Sequence, residues 1–249
     1  MIDYKKINPS KKLSHYIEGF YLVTGNSKTI KAVPPRLGCS MIIDLENNAL
    51  IEGHSYKAAV LGLRGCPYNL RTTDVNDRIV VTFLPHGFSY FCRFPVYAIN
   101  NIVIPAEEIF GSKVHDLHTK LSVEPRETER IQLLENFFLN HVIPAPNNCD
   151  AWLLDTMSHL QSGLNISDVY NTIPIGIRQL QRKFKARTGL SMNSFRKMAR
   201  YSNAMEQLKE RTFLKLSDVA FDRGYYDQPH FISHIRSLTK SNPSRQSFC

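Results

Sequence analysis

Apolar residues recur at helical spacing through the last third of the chain, twice in the same arrangement. The first copy begins at Ile166 with a short amphipathic segment that ends at the turn formers Pro174 and Gly176. The segment that follows carries an apolar stripe of Ile177, Leu180 and Phe184. Because residues three and four apart share one face of a helix, this copy predicts two short helices around a tight turn.

The second copy begins at Leu216 and repeats this arrangement. Gly224 supplies a left-handed stop to its short helix, a conformation that a residue with a Cβ resists. Asp227 is a good N-cap for the next helix, in which Phe231 and Ile235 are four residues apart and should be buried together. The repeat therefore predicts two helix-turn-helix motifs, at about residues 166–188 and 216–239.

One long helix is predicted between the copies, from Ser194 to Glu210. Its inward positions include Phe195, Met198, Met205 and Leu208. At about 1.5 Å per residue it is a rod of about 25 Å. Such a rod can hold two recognition helices about 34 Å apart, one turn of a DNA duplex.

The helix faces opposite the apolar stripes carry polar and basic side chains. In the first copy they include Arg178, Gln181, Arg182 and Lys185, with Lys183 beside them. In the second copy they include Gln228, Ser233 and Arg236, and the apolar Ile232 faces out with them. Arg and Gln pair bidentately with guanine and adenine edges, whereas Lys and Arg also neutralise phosphates. A plain helical bundle with solvated charges is the alternative interpretation of either copy taken alone.

The segment 151–247 resembles the DNA-binding domain of the AraC/XylS family of bacterial transcriptional regulators. The resemblance is carried by Leu180 to Phe184, Thr188, Gly189, Ser191, Arg200, Ala204, Leu208, Val219, Ala220, Gly224, Tyr225, Asp227, Gln228, His230, Phe231, Pro243 and Arg245. It implies that promoter DNA is the partner and that bases are contacted through Arg178, Gln181 and Arg182 in the first motif. In the second motif it implies base contacts through Gln228, Pro229, Ile232 and Ser233.

Four positions depart from the family's pattern. Tyr170 stands where a small Ala is usual, Gly176 replaces a Ser cap, Ile235 replaces a Phe and Lys240 replaces a Gly. A lost cap costs about 1 kcal/mol. These changes bear on packing and capping, and we expect them to leave the outward face unchanged.

The charge distribution independently favours nucleic acid as the partner of the C-terminal part. Residues 151–249 hold 15 Lys and Arg against 7 Asp and Glu, whereas residues 1–150 hold 16 against 15. Nearly all of the formal net charge of +9 thus lies in the C-terminal part. This is the electrostatic pattern of a nucleic-acid module attached to a neutral partner.

Short β-rich runs, separated by Gly, Pro and Asn clusters, fill the first 110 residues. They are residues 20–24, 40–44, 58–62 and 78–84. They predict a small antiparallel barrel or sandwich. At Pro9, Leu13, Tyr16, Ile17, Pro34 and the Ile43–Asp44 segment this part resembles the start of a cupin-like sensor domain. We therefore predict an α+β protein with a β-barrel-like N-terminal domain and following helices (1–141), a linker (142–150) and an all-α DNA-binding domain (151–249).

The mouth of such a barrel is a natural site for a small-molecule effector. Polar and aromatic residues near the predicted strand ends are the candidates, namely Arg36, His54, Arg64, Tyr68, His86 and Tyr90. A metal-dependent cupin-type enzyme is the rival interpretation, but it needs closely spaced His and carboxylate ligands. His54 and His86 stand alone in the sequence, so we expect no catalytic site, no metal and no cofactor.

An interaction module without a ligand is a third alternative. Residues 125–140 form an amphipathic helix whose apolar stripe comprises Ile131, Leu134 and Phe138. This stripe could pack on its own domain or pair with the same helix of a second subunit. Because AraC-type regulators often dimerise through the N-terminal part, we expect a homodimer.

The remaining features concern compartment and partners. No apolar run approaches the length of a membrane span, and the N-terminus lacks the pattern of a signal peptide. The five cysteines show no metal-binding spacing. We therefore expect a cytoplasmic, sequence-specific transcription regulator that is controlled by an effector or by dimerisation, with RNA polymerase as a further possible partner.

Overall fold

The computed structural model describes residues 2–26, 30–46, 48–71, 76–143, 151–210 and 215–239. In these residues the strands are β1 (Ile2–Ile7), β2 (Ile17–Gly25), β3 (Ile30–Val33), β4 (Ser40–Asp44), β5 (Ala49–Ile51), β6 (His54–Tyr56), β7 (Ala58–Leu61), β8 (Tyr68–Arg71), β9 (Asn76–Phe83) and β10 (Val103–Pro105). Two 3-10 turns, Gly87–Tyr90 and Val96–Ile99, lie between β9 and β10.

Helices make up the rest of the described chain. They are α1 (Glu107–Phe110), α2 (Lys113–Val123), α3 (Glu127–Leu139), α4 (Ala151–Gln161), α5 (Ile166–Thr172), α6 (Ile177–Thr188), α7 (Met192–Glu210), α8 (Leu216–Asp222) and α9 (Gln228–Thr239). No described helix combines the length and the apolar character needed to cross a membrane. Residues 144–150, which are most of the predicted linker, lie outside the described residues. So does Lys240, one of the four positions that depart from the family's pattern.

The N-terminal part is layered around a six-stranded antiparallel sheet. Its strand order is β1-β2-β9-β4-β7-β10, and a second sheet has the order β3-β8-β5-β6. Successive side chains of a strand point to opposite faces, so Met41 and Ile43 of β4 join the core beneath the helices while Ile42 joins the core around the second sheet. The larger sheet is therefore buried on both faces.

The two sheets are open, which corrects the predicted β-barrel. In the described residues β1 and β10 are the edges of the larger sheet, and β3 and β6 are the edges of the smaller one. A barrel requires its outermost strands to pair with each other. Here α2 and α3 cover one face of the larger sheet instead, through buried side chains such as Leu117, Leu134 and Phe138.

The apolar stripe of α3 packs within its own chain. Leu134 and Phe138 are fully buried in the N-terminal core, and Ile131 and Leu133 pack against it. Of the two arrangements open to this helix from the sequence, the structure adopts the intramolecular one. A second subunit would have to use another surface.

The C-terminal helices enclose two small cores that α7 joins. Phe195 and Ala199 of α7 pack with α4, α5 and α6, whereas Tyr201 and Leu208 pack with α8 and α9. The helix begins at Met192, two residues before the predicted start. Leu190 packs against both of these cores and also against the N-terminal core.

Candidate nucleic-acid interface

Helix α6 presents the first candidate surface. Gly176 precedes it in an extended conformation, and Leu180, Phe184 and Thr188 form its buried side. Ile177 was predicted to pack inward but is 49% exposed. Its position explains the difference, because it is the first residue of the helix and lies ahead of the turn that meets the core.

The outward residues of α6 divide into two groups. Arg178, Gln181 and Arg182 are exposed along its first two turns. Lys183 is half-buried, and its ammonium lies 5.8 Å from the centre of the Trp152 ring on α4. The first group is therefore the exposed surface with the hydrogen-bonding groups that base edges require.

Gln181 is held by a tyrosine of the neighbouring helix. Its Nε2 donates a hydrogen bond of 2.6 Å to the hydroxyl of Tyr170 on α5. The ring of Tyr170 is half-buried and packs against the core of the first helix pair. The expectation that the departure at position 170 leaves the outward face unchanged is therefore wrong, since an Ala has no hydroxyl to contact Gln181.

The C-terminal end of α6 contacts the N-terminal part in what we call the α6 docking contact. The Nδ2 of Asn100 donates a hydrogen bond of 2.8 Å to the carbonyl oxygen of Gly189. The guanidinium of Arg187 lies 4.5 Å from the centre of the Tyr90 ring, and the Lys185 ammonium lies 5.2 Å from the centre of the Tyr97 ring. Both contacts have cation–π geometry.

Helices α8 and α9 present the second candidate surface. The carboxylate of Asp227 accepts the backbone N–H of His230 at 2.7 Å, which is the predicted N-cap. Gly224 has the predicted left-handed conformation, with φ of 67°. Of the residues implied to contact bases, Gln228, Pro229 and Ser233 are exposed, as is the predicted outward residue Arg236.

Ile232 differs from the other predicted contacts of α9. It is half-buried and packs against the core that α9 shares with α7 and α8. Its predicted orientation toward solvent is therefore only partly correct. Ile232 lies three residues before the buried Ile235, on the same side of the helix, so part of its side chain reaches the same core.

Helix α9 carries a half-buried histidine, His234. The Nδ1 of His234 and the hydroxyl of Tyr225 are 2.8 Å apart. Burial lowers the pKa of His234, and the nearby His230, Arg200 and Lys197 lower it further. The folded protein therefore favours the neutral ring, which can accept the tyrosine hydroxyl at Nδ1.

We expect acid to destabilise this helix pair through His234. Because the folded-state pKa is lowered, the unfolded chain binds the proton more readily, and stability is lost as the pH falls from about 6.5, the ordinary histidine value, through the folded pKa. Unfolding free energies measured between pH 8 and pH 5 should fall less steeply for His234→Gln than for wild type. His15→Gln removes an exposed histidine and should keep the wild-type slope; equal slopes for all three proteins would contradict the assignment.

The predicted effector residues do not share one site. Arg36 pairs with Glu18 at 2.7 Å, and Arg64 pairs with Glu52 at 2.9 Å beside the Tyr68 ring. His54 is exposed on β6, and His86 is buried with its ring 6.1 Å from that of Tyr90, which belongs to the α6 docking contact.

A cavity of about 250 Å³ lies elsewhere, between the β6–β7 segment and helices α1 and α2. It is lined by Ser55, Tyr56, Lys57, Ala58, Pro105, Glu107, Val114, His115 and His118. It contains none of the six predicted effector residues. It could not be predicted from the sequence, because its lining comes from two segments that are remote along the chain.

A family model matches the part of the chain that contains both exposed helix faces. The AraC-type model described as a helix-turn-helix domain matches residues 171–246. The helix-turn-helix domain of this chain is of the AraC/XylS type. A domain of unknown function, DUF6597, matches residues 5–105, and no curated protein matches the chain.

One solved structure of ToxT has a fold similar to that of this chain. ToxT from Vibrio cholerae is 13% identical with a TM-score of 0.50, and the match covers 98% of this chain and 96% of ToxT. ToxT with a bound unsaturated fatty acid is 11% identical with a TM-score of 0.49, covering 90% and 92%. The xylose-binding activator XylR is 15% identical with a TM-score of 0.35, covering 47% and 36%.

Proposed function

We propose that α6 and α9 are the recognition helices of a promoter-binding regulator. The observation that carries the proposal is the exposed group Arg178, Gln181 and Arg182 on the first two turns of α6. Two guanidinium groups and one amide on one face match guanine and adenine edges in the major groove. Lys183, Lys185 and Arg236 add charges that neutralise phosphates.

The length of α7 supports simultaneous binding by both helix pairs. It has 19 residues, which corresponds to a rod of about 28 Å. Two recognition helices that enter successive major grooves on one face of DNA are about 34 Å apart. A rod of this length, with a helix packed on each end, is compatible with that separation.

The N-terminal domain, residues 1–141, controls DNA binding in this proposal, with residues 142–150 as the linker to the DNA-binding domain, 151–249. The α6 docking contact supports it, because Tyr90, Tyr97 and Asn100 contact the helix that is proposed to read bases. An effector acts by binding more tightly to one of two arrangements of this contact. The effector is a small molecule that binds the N-terminal domain.

Other partners follow from the same proposal. RNA polymerase is a further partner at the promoter, and the regulator acts as a homodimer in the cytoplasm. The dimer must use a surface other than the apolar stripe of α3, which its own core occupies. Light scattering at micromolar concentration tests the dimer, and a mass near 28.6 kDa would contradict it.

Salt dependence tests the DNA-binding proposal on the full chain. We expect binding to a promoter duplex to weaken steeply between about 50 and 200 mM salt. The logarithm of the binding constant, plotted against the logarithm of the salt concentration, should have a slope that is shallower by about one for each phosphate contact removed. Lys183→Ala should reduce the slope, whereas Lys11→Ala, an exposed residue of the N-terminal part, should not. Binding that is absent, or independent of salt, would sink the proposal.

A further inference from the structure

The hydrogen bond between Gln181 and Tyr170 fixes an amide on the candidate surface. Gln181 is exposed on α6, whereas the ring of Tyr170 is half-buried in the core of the first helix pair. The two residues lie on different helices, and the 2.6 Å contact joins Nε2 of Gln181 to the tyrosine hydroxyl. A side chain anchored in a core thus limits the rotation of a side chain at the surface.

The direction of this hydrogen bond determines what Gln181 presents to DNA. The amide nitrogen has two hydrogens, of which one is given to Tyr170, so one N–H and the amide oxygen are available. Adenine offers N7 as an acceptor and N6–H as a donor, and one glutamine amide can satisfy both together. A freely rotating amide can also turn a donor toward guanine N7 or O6 or toward thymine O4, and so discriminates less.

We propose that Tyr170 is a positioning residue that sets the adenine preference of Gln181. The inference rests on the proposed function, because it requires α6 to read bases. Tyr170 acts through Gln181 and not through its own contact with a base. Its hydroxyl narrows the orientations of one amide before DNA is bound, which favours the base that matches that orientation.

Parallel selection from one random duplex library by full-length variants tests this role. Gln181→Ala identifies the operator position that Gln181 reads, because its adenine preference disappears there. At that same position Tyr170→Phe should lower the adenine preference by about threefold to tenfold, part of the discrimination that a bidentate pair supplies. The other positions should keep their preferences.

Two further variants separate positioning from a structural role. Tyr225→Phe removes a tyrosine hydroxyl from the second helix pair, where it contacts His234, and should leave the Gln181 position unchanged. In the Gln181→Ala background, Tyr170→Phe should have no additional effect on base preference. Thermal unfolding of Tyr170→Phe checks that its fold is intact, since the ring that packs in the core is kept.

Each contrary outcome has a distinct meaning. If Tyr170→Phe keeps the wild-type adenine preference, the positioning role is overturned. A uniform loss of affinity for all duplexes would also overturn it, because such a loss indicates a phosphate contact or a packing defect. If Gln181→Ala keeps the wild-type base preference at every operator position, Gln181 reads no base, and Tyr170 cannot act through it. If the wild-type chain enriches no sequence at all, the proposed function fails and the inference fails with it.

Discussion

Replacing Gly189 by Ala should lower the free energy of unfolding by about 2–5 kcal/mol. Gly189 ends α6 with φ of 77°, a left-handed conformation that costs a residue with a Cβ about 1–2 kcal/mol. An added Cβ would lie 2.5 Å from Cδ1 of Leu63 and 3.2 Å from Cγ1 of Val96. Both neighbours are buried in the N-terminal core, so overpacking adds about 1–3 kcal/mol.

Gly224→Ala provides a matched control for this effect. Gly224 follows α8 with φ of 67°, and a Cβ built there meets no atom within 4 Å. It should therefore cost only the conformational part, about 1–2 kcal/mol. Urea unfolding followed by the fluorescence of Trp152, the single tryptophan, measures both variants. Equal costs would contradict a tight contact between Gly189 and the N-terminal core.

The central strands could be predicted from the sequence because they are buried on both faces. The apolar runs at residues 40–44 and 78–84 became β4 and β9, with shifts of at most two residues at their ends. Strand β1 was missed because its middle residues are exposed, and its strand structure depends on pairing with β2. Sequence alternation gives the buried face of a strand but not its partner, which is why a barrel was predicted where two open sheets form.

Helical periodicity predicts which residues of α6 form the candidate surface. The period places Arg178, Gln181 and Arg182 opposite the buried stripe, and the structure has them exposed. The α6 docking contact could not be predicted, because Asn100 and Gly189 are 89 residues apart and no local pattern joins them. Helical periodicity also places Lys185 on the outward face. Its contact with Tyr97 could not be predicted, because that contact depends on the same long-range packing.

The two proposed recognition helices should contribute unequally to sequence recognition. Helix α6 offers Arg178, Gln181 and Arg182, all of which can form bidentate or directional hydrogen bonds with bases. At the corresponding positions α9 has Pro229, which lacks a donor, and Ile232, which is half-buried. These two can contact a thymine methyl but cannot fix a guanine or adenine. The half-site beneath α6 should therefore be the more sharply defined one, and α9 should depend more on Gln228, DNA shape and phosphate contacts.

Changing operator base pairs one at a time measures this asymmetry. We expect penalties of about 1–3 kcal/mol per base pair under α6 and smaller ones under α9. Arg182→Ala should abolish the penalty at one position under α6, because the side chain that distinguishes guanine there is gone. Lys183→Ala, which changes the adjacent charge, should weaken all sequences by a similar factor. Equal penalties under both helices, or an Arg182→Ala variant that loses the same factor on specific and random DNA, would show that base recognition is not concentrated in α6.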